Sequence, residues 1–334
     1  MSKVRWGVLS TAKIGTVKVI PGMQRGSHGE VVAIASRNLE SAQAAADRLH
    51  LPKAHGSYEA LLEDPDVDAV YIPLPNHMHV PWAVRALEAG KHVLCEKPIG
   101  LSACEGRKLW EAARRHPHLK VMEAFMYRHH PQWQKARQVV REGGIGQVVT
   151  IQSFFSYYND NPEDIRNNRE WGGGGIMDIG CYPISVSRFI LESEPRRVVA
   201  SITRDEKFQT DTVASCLLDF GGPTCTFTCG TKIAPYQSVH IHGTDVRVEL
   251  QIPFNAPPDQ PCILWHQRGM EVSEIKLPTS DQYTVQGDLM SQAILSGTEV
   301  PTPICDAVAN MEVIEAIWRS ENSGCWEAVK PVHA

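Results

Sequence analysis

The chain has 334 residues, a formal net charge of −5, 43% hydrophobic and 21% charged residues. That length suits two domains, with enough core to need neither disulfides nor a structural metal. The mild, unclustered charge excludes a nucleic-acid-binding balance and a polybasic membrane anchor, and no apolar run approaches the ~20 residues of a membrane helix.

Residues 1–7 lack the basic and then apolar regions of a secretory signal, so a cytoplasmic protein is expected. They run straight into a strand, Val4–Leu9. Apolar runs at 31–35, Ala69–Ile72, His92–Cys95 and 120–123 read as further strands. Helical patterns at 42–49, 81–89 (stopping at Gly90) and 102–115 fall among them. Short apolar strands alternating with helices predict a parallel sheet covered on both faces, and right-handed crossovers make it a doubly wound Rossmann sheet. The pattern changes after about residue 145. A long strand over 147–157 is followed by a glycine run that continues as a helix over 172–191. Strands then come in series at Arg197–Arg204, 212–219, 224–231, 238–242, 246–250 and 263–266, separated by turn signals such as Gly221-Gly222-Pro223. Serial strands without helices predict a mainly antiparallel sheet. Helices at 286–295 and 307–320 close the chain. The expected class is therefore α/β: a Rossmann domain over 1–122, and over 123–334 an α+β domain with a large open sheet. The C-terminal helix is free to pack back on the first domain.

Strand Val4–Leu9 leads into Ser10-Thr11-Ala12-Lys13-Ile14-Gly15, in the place of a Gly-x-Gly-x-x-Gly turn. Ser10 and Ala12 replace the first two glycines and only Gly15 is kept. Small residues still let a pyrophosphate approach the backbone at a helix N-terminus. The motif alone fits an ordinary tight turn equally well. The second strand ends in Ser36-Arg37-Asn38, about 20 residues on, where an acidic residue would hold the ribose 2′-hydroxyl of NAD. A hydroxyl and a guanidinium there suit a 2′-phosphate, which favours NADP over NAD. Read without that motif, Arg37 is a solvated surface arginine.

The next motif, Cys95-Glu96-Lys97-Pro98, ends a strand at the edge where open α/β sheets bind ligands. A lysine there can stabilise an alkoxide, although position alone does not distinguish it from a surface lysine. The segment Trp171-Gly172-Gly173-Gly174-Gly175-Ile176-Met177-Asp178-Ile179-Gly180-Cys181-Tyr182-Pro183 sharpens the reading. Its glycines let backbone pass close to a ligand, and Asp178 and Tyr182 face one way if the stretch is helical. A nearby cation would lower the tyrosine pKa from ~10 toward that of a working base. The alternative is a glycine-rich helix start carrying a buried tyrosine.

Taken together, the glycine-poor turn, Glu96-Lys97-Pro98 and the 173–182 block resemble the glucose–fructose oxidoreductase/inositol dehydrogenase/rhizopine-catabolism family over nearly the whole chain. The resemblance implies NAD(P)-dependent oxidation or reduction of sugars, polyols or cyclic diols, and a homodimer or homotetramer formed through the C-terminal sheet. By position it implies Lys97 as catalytic lysine, Asp178 as its helper carboxylate and Tyr182 as acid/base. Tyrosine rather than histidine at 182 is similar to the branch of xylose dehydrogenases and dihydrodiol dehydrogenases, as is the stretch Met122-Glu123-Ala124-Phe125-Met126-Tyr127. In Asp164-Ile165-Arg166 the arginine resembles one that reaches cofactor or substrate. Leu74, Pro75, Asn76 and His79 match the loop beneath the nicotinamide ribose, and Glu96 joins the cofactor set. Met126, Phe155 and Tyr283, the last placed before the 286–295 helix, complete the expected substrate contacts, although core packing suits Phe155 and Tyr283 equally well.

The leading activity is an aldose 1-dehydrogenase of xylose or glucose, with trans-dihydrodiol dehydrogenase or keto-sugar reductase as alternatives. An enzyme that retains NAD to cleave glycosides, and a non-enzymatic dinucleotide sensor, are the rivals of other classes. No metal is expected. The pairs His77/His79, His129/His130 and His240/His242 lack a third ligand at suitable spacing. Cys225 and Cys229 would lie ~13 Å apart along a strand. The nine cysteines include no Cys-x-x-Cys pair and read as reduced core residues.

Overall fold

The computed structural model describes residues 3–332; Met1, Ser2, His333 and Ala334 lie outside the described residues. The chain forms two compact units, one of residues 1–126 with 282–308 and one of 127–281 with 309–334.

The first unit holds six parallel strands: β1 (Val4–Leu9), β2 (Gly29–Ala35), β3 (Lys53–His55), β4 (Ala69–Ile72), β5 (His92–Cys95) and β6 (Val121–Glu123). Their order in the sheet is β3-β2-β1-β4-β5-β6. The chain builds outward from β1 to β3, returns to the other side of β1, and continues from β4. Between β1 and β4 the order reverses, and there the turns leaving the two strands part. All four residues of β4 are buried, as strands covered on both faces must be. Two of the longer helices begin on side-chain caps: Asn38 accepts from the Glu40 N–H at 2.8 Å ahead of Leu39–Leu49, and Ser102 from the Glu105 N–H at 3.1 Å ahead of Ala103–Arg115. Trp6, Ile34, Tyr71, Leu94 and Met122 form the core together with Met290, Ala293 and Val300 from late in the chain.

That late contribution corrects the expected division into 1–122 and 123–334. Helix Gln282–Ser296 belongs to the first unit. Trp6 Nε1 donates to Ser291 Oγ at 2.9 Å, the Ser27 and His28 N–H groups donate to Asp288, and Thr284 Oγ1 donates to the Gly22 carbonyl at 2.7 Å. These bonds satisfy a buried indole and the backbone entering β2. The helix also starts four residues earlier than its apolar pattern suggests, so Tyr283 lies within it and packs on the first unit's core instead of preceding it.

The second unit holds nine strands: β7 (Val148–Tyr158), β8 (Arg197–Arg204), β9 (Asp211–Asp219), β10 (Thr224–Gly230), β11 (Lys232–Gly243), β12 (Arg247–Leu250), β13 (Ile263–Arg268), β14 (Glu271–Lys276) and β15 (Glu327–Ala328). The order is β14-β13-β12-β11-β7-β10-β9-β8-β15, antiparallel everywhere except between β7 and β10. Alternate residues are buried, including Ile151, Ser153 and Phe155 of β7 and Cys225, Phe227 and Cys229 of β10. The other face carries threonines, with Thr224 bonded to Thr150 at 3.0 Å and Ser215 to Thr228 at 2.9 Å.

Strands β3, β14 and β15 and the helices Tyr58–Leu62 and Pro131–Arg141 were not expected. Strand β14 is an edge strand exposed at nearly every position, so it lacks the apolar alternation that marks a half-buried strand. Helix Pro131–Arg141 buries little apolar surface beyond Trp133 and Ala136, and begins where the His130 ring accepts the Gln132 N–H. Among the described residues no helix is long and apolar enough to cross a membrane, and no three His, Cys, Asp or Glu side chains are grouped to hold a metal ion. All nine cysteines are thiols rather than disulfides, six of them buried.

Three histidines carry a pH dependence. Burial lowers His79, His92 and His129 from 6.5 to about 4, because a charged ring loses its hydration there. For His92 the ring nitrogen is also occupied, since Nδ1 accepts the Lys120 N–H at 2.9 Å. A depressed histidine stabilises the fold above its unfolded value near 6.5, and that contribution is lost as pH falls from there through about 4. For the nearly fully buried His79 and His129 it amounts to about 3 kcal/mol each. The urea midpoint is therefore expected to fall steadily between about pH 6.5 and 4.5. A midpoint flat over that range would contradict the assignment.

Candidate active site

In the first unit the expected cofactor residues lie at the carboxyl edge of the parallel sheet. Ser10 follows β1 with φ 133°, a left-handed value that favours glycine. The serine holds the glycine's backbone at a cost of about 1–3 kcal/mol. Its hydroxyl offsets part of that cost, since Oγ accepts the Ala12 N–H at 2.9 Å. Gly15 then opens a wide turn, Gly15–Val19, in which the Ile20 N–H returns five residues to the Gly15 carbonyl. A Cβ on Gly15 would stand 3.4 Å from Pro73 Cγ, an ordinary van der Waals contact, so packing against the end of β4 does not itself demand glycine here. Thr11 and Ala12 are half-buried, and Lys13 and Ile14 are exposed beside them.

Ser36 ends β2 with its N–H on the His55 carbonyl at 3.1 Å. Arg37 is exposed and, among the described residues, makes no ion pair. Asn38 is spent on capping the helix that follows. After β4, His79 straps two loops together: Nε2 lies 2.7 Å from the Leu74 carbonyl and Nδ1 2.8 Å from the Pro98 carbonyl. Two carbonyl partners favour a protonated ring and burial opposes it. Burial dominates, so the neutral ring donates to one carbonyl at a time. Asn76 begins the helix Asn76–Glu88 that carries His79. Glu96 accepts the Tyr71 hydroxyl at 2.6 Å, and burial together with the Glu96 charge keeps that hydroxyl protonated. Lys97 follows directly, and its backbone N–H lies 3.4 Å from Glu96 Oε2. Met126 is buried at the end of the unit.

In the second unit Asp178 lies in another wide turn, Ile176–Gly180, where the Cys181 N–H returns to the Ile176 carbonyl. Tyr182 sits in the first turn of helix Cys181–Leu191. The expectation of one uninterrupted α-helix over both residues is therefore replaced by a wide turn passing into a helix, a distortion common at functional sites. Asp178 Oδ2 accepts from Tyr157 Oη at 2.6 Å and from Arg166 Nε at 2.9 Å. Arg166, expected to reach cofactor or substrate, is turned onto Asp178 and also onto Asp164 Oδ1 at 3.3 Å. Asp178 holds the Arg166 guanidinium well above its ordinary pKa, and burial raises the Tyr157 hydroxyl well above its own.

The Tyr182 ring packs in an aromatic wall, with centroids 5.6 Å from Phe155, 5.2 Å from Phe254 and 5.8 Å from Tyr127. Phe155 thus packs directly beside Tyr182. Tyr157, Phe254 and Tyr127 were not among the expected site residues. The signal for Tyr157 was available, because residues two apart on a strand share a face with Phe155. Phe254 arrives from a loop with no pattern of its own.

The glycine run serves a different purpose from the expected approach of a ligand. Gly174 has φ 113°, and a Cβ there would overlap Asp211 Oδ1. A Cβ on Gly173 would overlap the Arg166 carbonyl and come within 2.7 Å of the Asn168 carbonyl. The run folds against the protein's own backbone and one buried carboxylate.

The model of an oxidoreductase family with an NAD-binding Rossmann fold matches residues 4–125, and that of the GFO/IDH/MocA C-terminal domain matches residues 133–249. The chain belongs to the GFO/IDH/MocA oxidoreductase family. It is 38% identical to a D-xylose 1-dehydrogenase (NADP(+)) of Haloferax volcanii, over 96% of this chain and 98% of that one. A trans-1,2-dihydrobenzene-1,2-diol dehydrogenase of Bos taurus is 33% identical, over 76% of each chain. Among solved structures, the 3-ketoreductase KijD10 of Actinomadura kijaniata with NADP and TDP-benzene superposes with a TM-score of 0.90 at 31% identity, covering 96% of this chain and 98% of that one.

The strain at Ser10 predicts an inverted substitution order. Ser10→Ala loses the hydroxyl and keeps the Cβ, whereas Ser10→Gly loses the hydroxyl and sheds the strain. The glycine variant is expected to be more stable than the alanine variant by about 1–3 kcal/mol, read as a higher Tm. The usual order, alanine above glycine, would show that the backbone at this residue is not left-handed.

Proposed function

We propose that the protein is an NADP-dependent oxidoreductase of sugar, polyol or cyclic diol CH–OH groups, acting as a 1-dehydrogenase of an aldose such as xylose or glucose. The observation that carries the cofactor half of this reading is Arg37. Its guanidinium makes no ion pair among the described residues, and it follows Ser36 at the end of β2, where a carboxylate would select NAD. The residues fit a dinucleotide phosphate. Small side chains and helix N–H groups follow β1 at the point where the strand order reverses, and the cation stands at the end of β2. In this reading Ser10, Thr11, Ala12, Lys13 and Ile14 bind the pyrophosphate. Ser36 and Arg37 bind the 2′-phosphate, and Leu74, Asn76, His79 and Glu96 support the nicotinamide end. Bound there, NADP would supply a hydride acceptor for a substrate C–H.

The chain's own groups then manage the proton and the charge. Tyr182 Oη takes the proton of the substrate hydroxyl, and Lys97 Nζ stabilises the negative charge that develops on that oxygen. Asp178, held by Arg166 and Tyr157, orients the substrate. Phe155 and Tyr182 offer it an aromatic surface, with Met126 as a further contact. Tyr283, partly buried against the first unit's core, is proposed as another contact through its remaining surface. A second copy of the chain is proposed to cover the open face of the nine-stranded sheet, where Tyr236 is 58% exposed beside Phe154. The similarity to the ketoreductase favours a second reading, reduction of a keto-sugar by the same groups run in reverse.

Formation of NADPH at 340 nm on a panel of aldoses, inositols and vicinal diols tests the reading. Turnover with NADP is expected on one substrate class, and Arg37→Ala is expected to raise KM for NADP about 10–100-fold with little change for NAD. Oxidation that proceeds equally well with either cofactor would remove Arg37 from the argument. Silence in oxidation with turnover of keto-sugars and NADPH would select the second reading. Lys97→Met and Tyr182→Phe are each expected to cut kcat by about 100-fold or more. Full turnover in either variant would remove that residue from the chemistry.

A further inference from the structure

Asp211 opens β9 and is 1% exposed, with no role yet in the site. Its Oδ2 accepts the Ile176 N–H at 2.6 Å, the first amide of the wide turn that carries Asp178. Gly174 and Gly175 are bare on the side facing this carboxylate: a Cβ on Gly174 would overlap Oδ1, and one on Gly175 would stand 3.2 Å from Oδ2. A further bond ties the run to the site, because the Asp178 N–H returns to the Gly174 carbonyl at 3.1 Å. The glycine run is thus shaped around one buried carboxylate that grips the start of the turn.

We propose that Asp211 is a positioning residue, whose ionised carboxylate pins the Ile176 amide and so sets the placement of Asp178 and Tyr182, at a cost in stability. The inference rests on the proposed role of those two residues. A charge-assisted bond is shorter and stronger than one to a neutral amide, which makes an anion the better anchor. The anion is expensive to keep here. The groups facing it are Arg204 on β8, Glu321 on helix Ile304–Ser323, the Cys216 thiol on β9 and the Cys229 thiol on β10. Arg204 is the one cation among them, and it is shared with Glu321 through bonds of 2.7 and 2.6 Å. Burial pushes the Asp211 carboxyl up to about 6. A raised acid stabilises the fold while protonated and loses that contribution as pH rises from its ordinary value of 3.8 through about 6, so at neutral pH the ionised carboxylate works against folding.

The test is Asp211→Asn, which keeps an acceptor of the same shape and removes the charge. Its Tm is expected to match wild type at about pH 4, to draw ahead between about pH 4 and 6, and to keep that lead above about pH 6. Hydrogen exchange of the peptide spanning 174–180 should nevertheless be about tenfold faster at about pH 7.5, and kcat about tenfold lower with KM for NADP unchanged. A merely structural carboxylate predicts that rigidity and activity follow stability. Exchange in the variant equal to or slower than wild type would overturn the proposal, as would faster exchange with unchanged kcat. If wild type turns over nothing on the panel, the functional reading fails on its own, and exchange with Tm still decides whether Asp211 pins the turn.

Discussion

A parallel sheet allows its chain to leave every strand at the same edge, and in the first unit everything able to bind a ligand hangs on that constraint. The turns after β1, β2, β4 and β5 carry residues 10–14, Ser36 and Arg37, Leu74 to His79, and Glu96 with Lys97. No propensity of those loops brings them to one edge; the crossovers do, and the reversal of order between β1 and β4 leaves a gap between two of them. Within that frame a few buried bonds set the loops. His79 joins Leu74 to Pro98, and Tyr71 holds Glu96 ahead of Lys97. The donors in both bonds, an imidazole and a phenol, stay neutral under full burial, so these loops are set without a buried cation.

The second unit solves its problem with charge. Asp178 lies against Arg166 and Tyr157, and Asp211 lies under the glycine run against an amide. Arg166 keeps 42% of its side chain in solvent, so its pairing with Asp178 is screened and cheap to make or remake. Asp211 has no such access to water. One carboxylate is paired with a half-exposed cation and a phenol, and the other with a buried backbone amide. Both units also break helical regularity at the loop that approaches the expected ligand: Gly15–Val19 and Ile176–Gly180 are each a single wide turn passing into an α-helix. Such a turn admits one residue more than an α-helical turn and disturbs the i→i−4 ladder, a local cost usually met at functional sites.

Much of this was legible in the sequence where physics leaves a periodic mark. The apolar runs of β1, β4 and β5 coincide with their strands to the residue, since strands buried on both faces tolerate little else. The switch to serial strands after residue 145 was equally plain, because alternation with a polar second face has a period of two. Elements held by long-range partners left no such mark. Helix Gln282–Ser296 goes to the first unit on the strength of Trp6, Ser27 and Gly22, residues more than 250 positions away, and nothing in its own pattern distinguishes the two destinations. Edge strand β14 needs no buried face and therefore shows none. At the site, Lys97, Asp178 and Tyr182 stood out by type and spacing, whereas Tyr157 and Asp211 matter through what they hold in place.

The glycine run illustrates how one residue type carries two incompatible messages. Glycine marks any place where backbone passes closer to something than a Cβ allows, and the sequence is silent on what that something is. A ligand was the natural reading beside Asp178 and Tyr182. The neighbours in fact include a buried carboxylate and two carbonyl oxygens of the same chain, at Gly174 and Gly173. Both readings require the same residues, so composition cannot separate them, and only the partner 35 positions downstream does. The same logic applies in reverse at Ser10, where a left-handed backbone survives without its glycine because a hydroxyl supplies a bond that glycine could not. Close backbone approach is thus the shared requirement of both loops, and the side chain present reports how each loop meets it: by having no atoms to clash at Gly174, and by turning its one polar atom inward at Ser10.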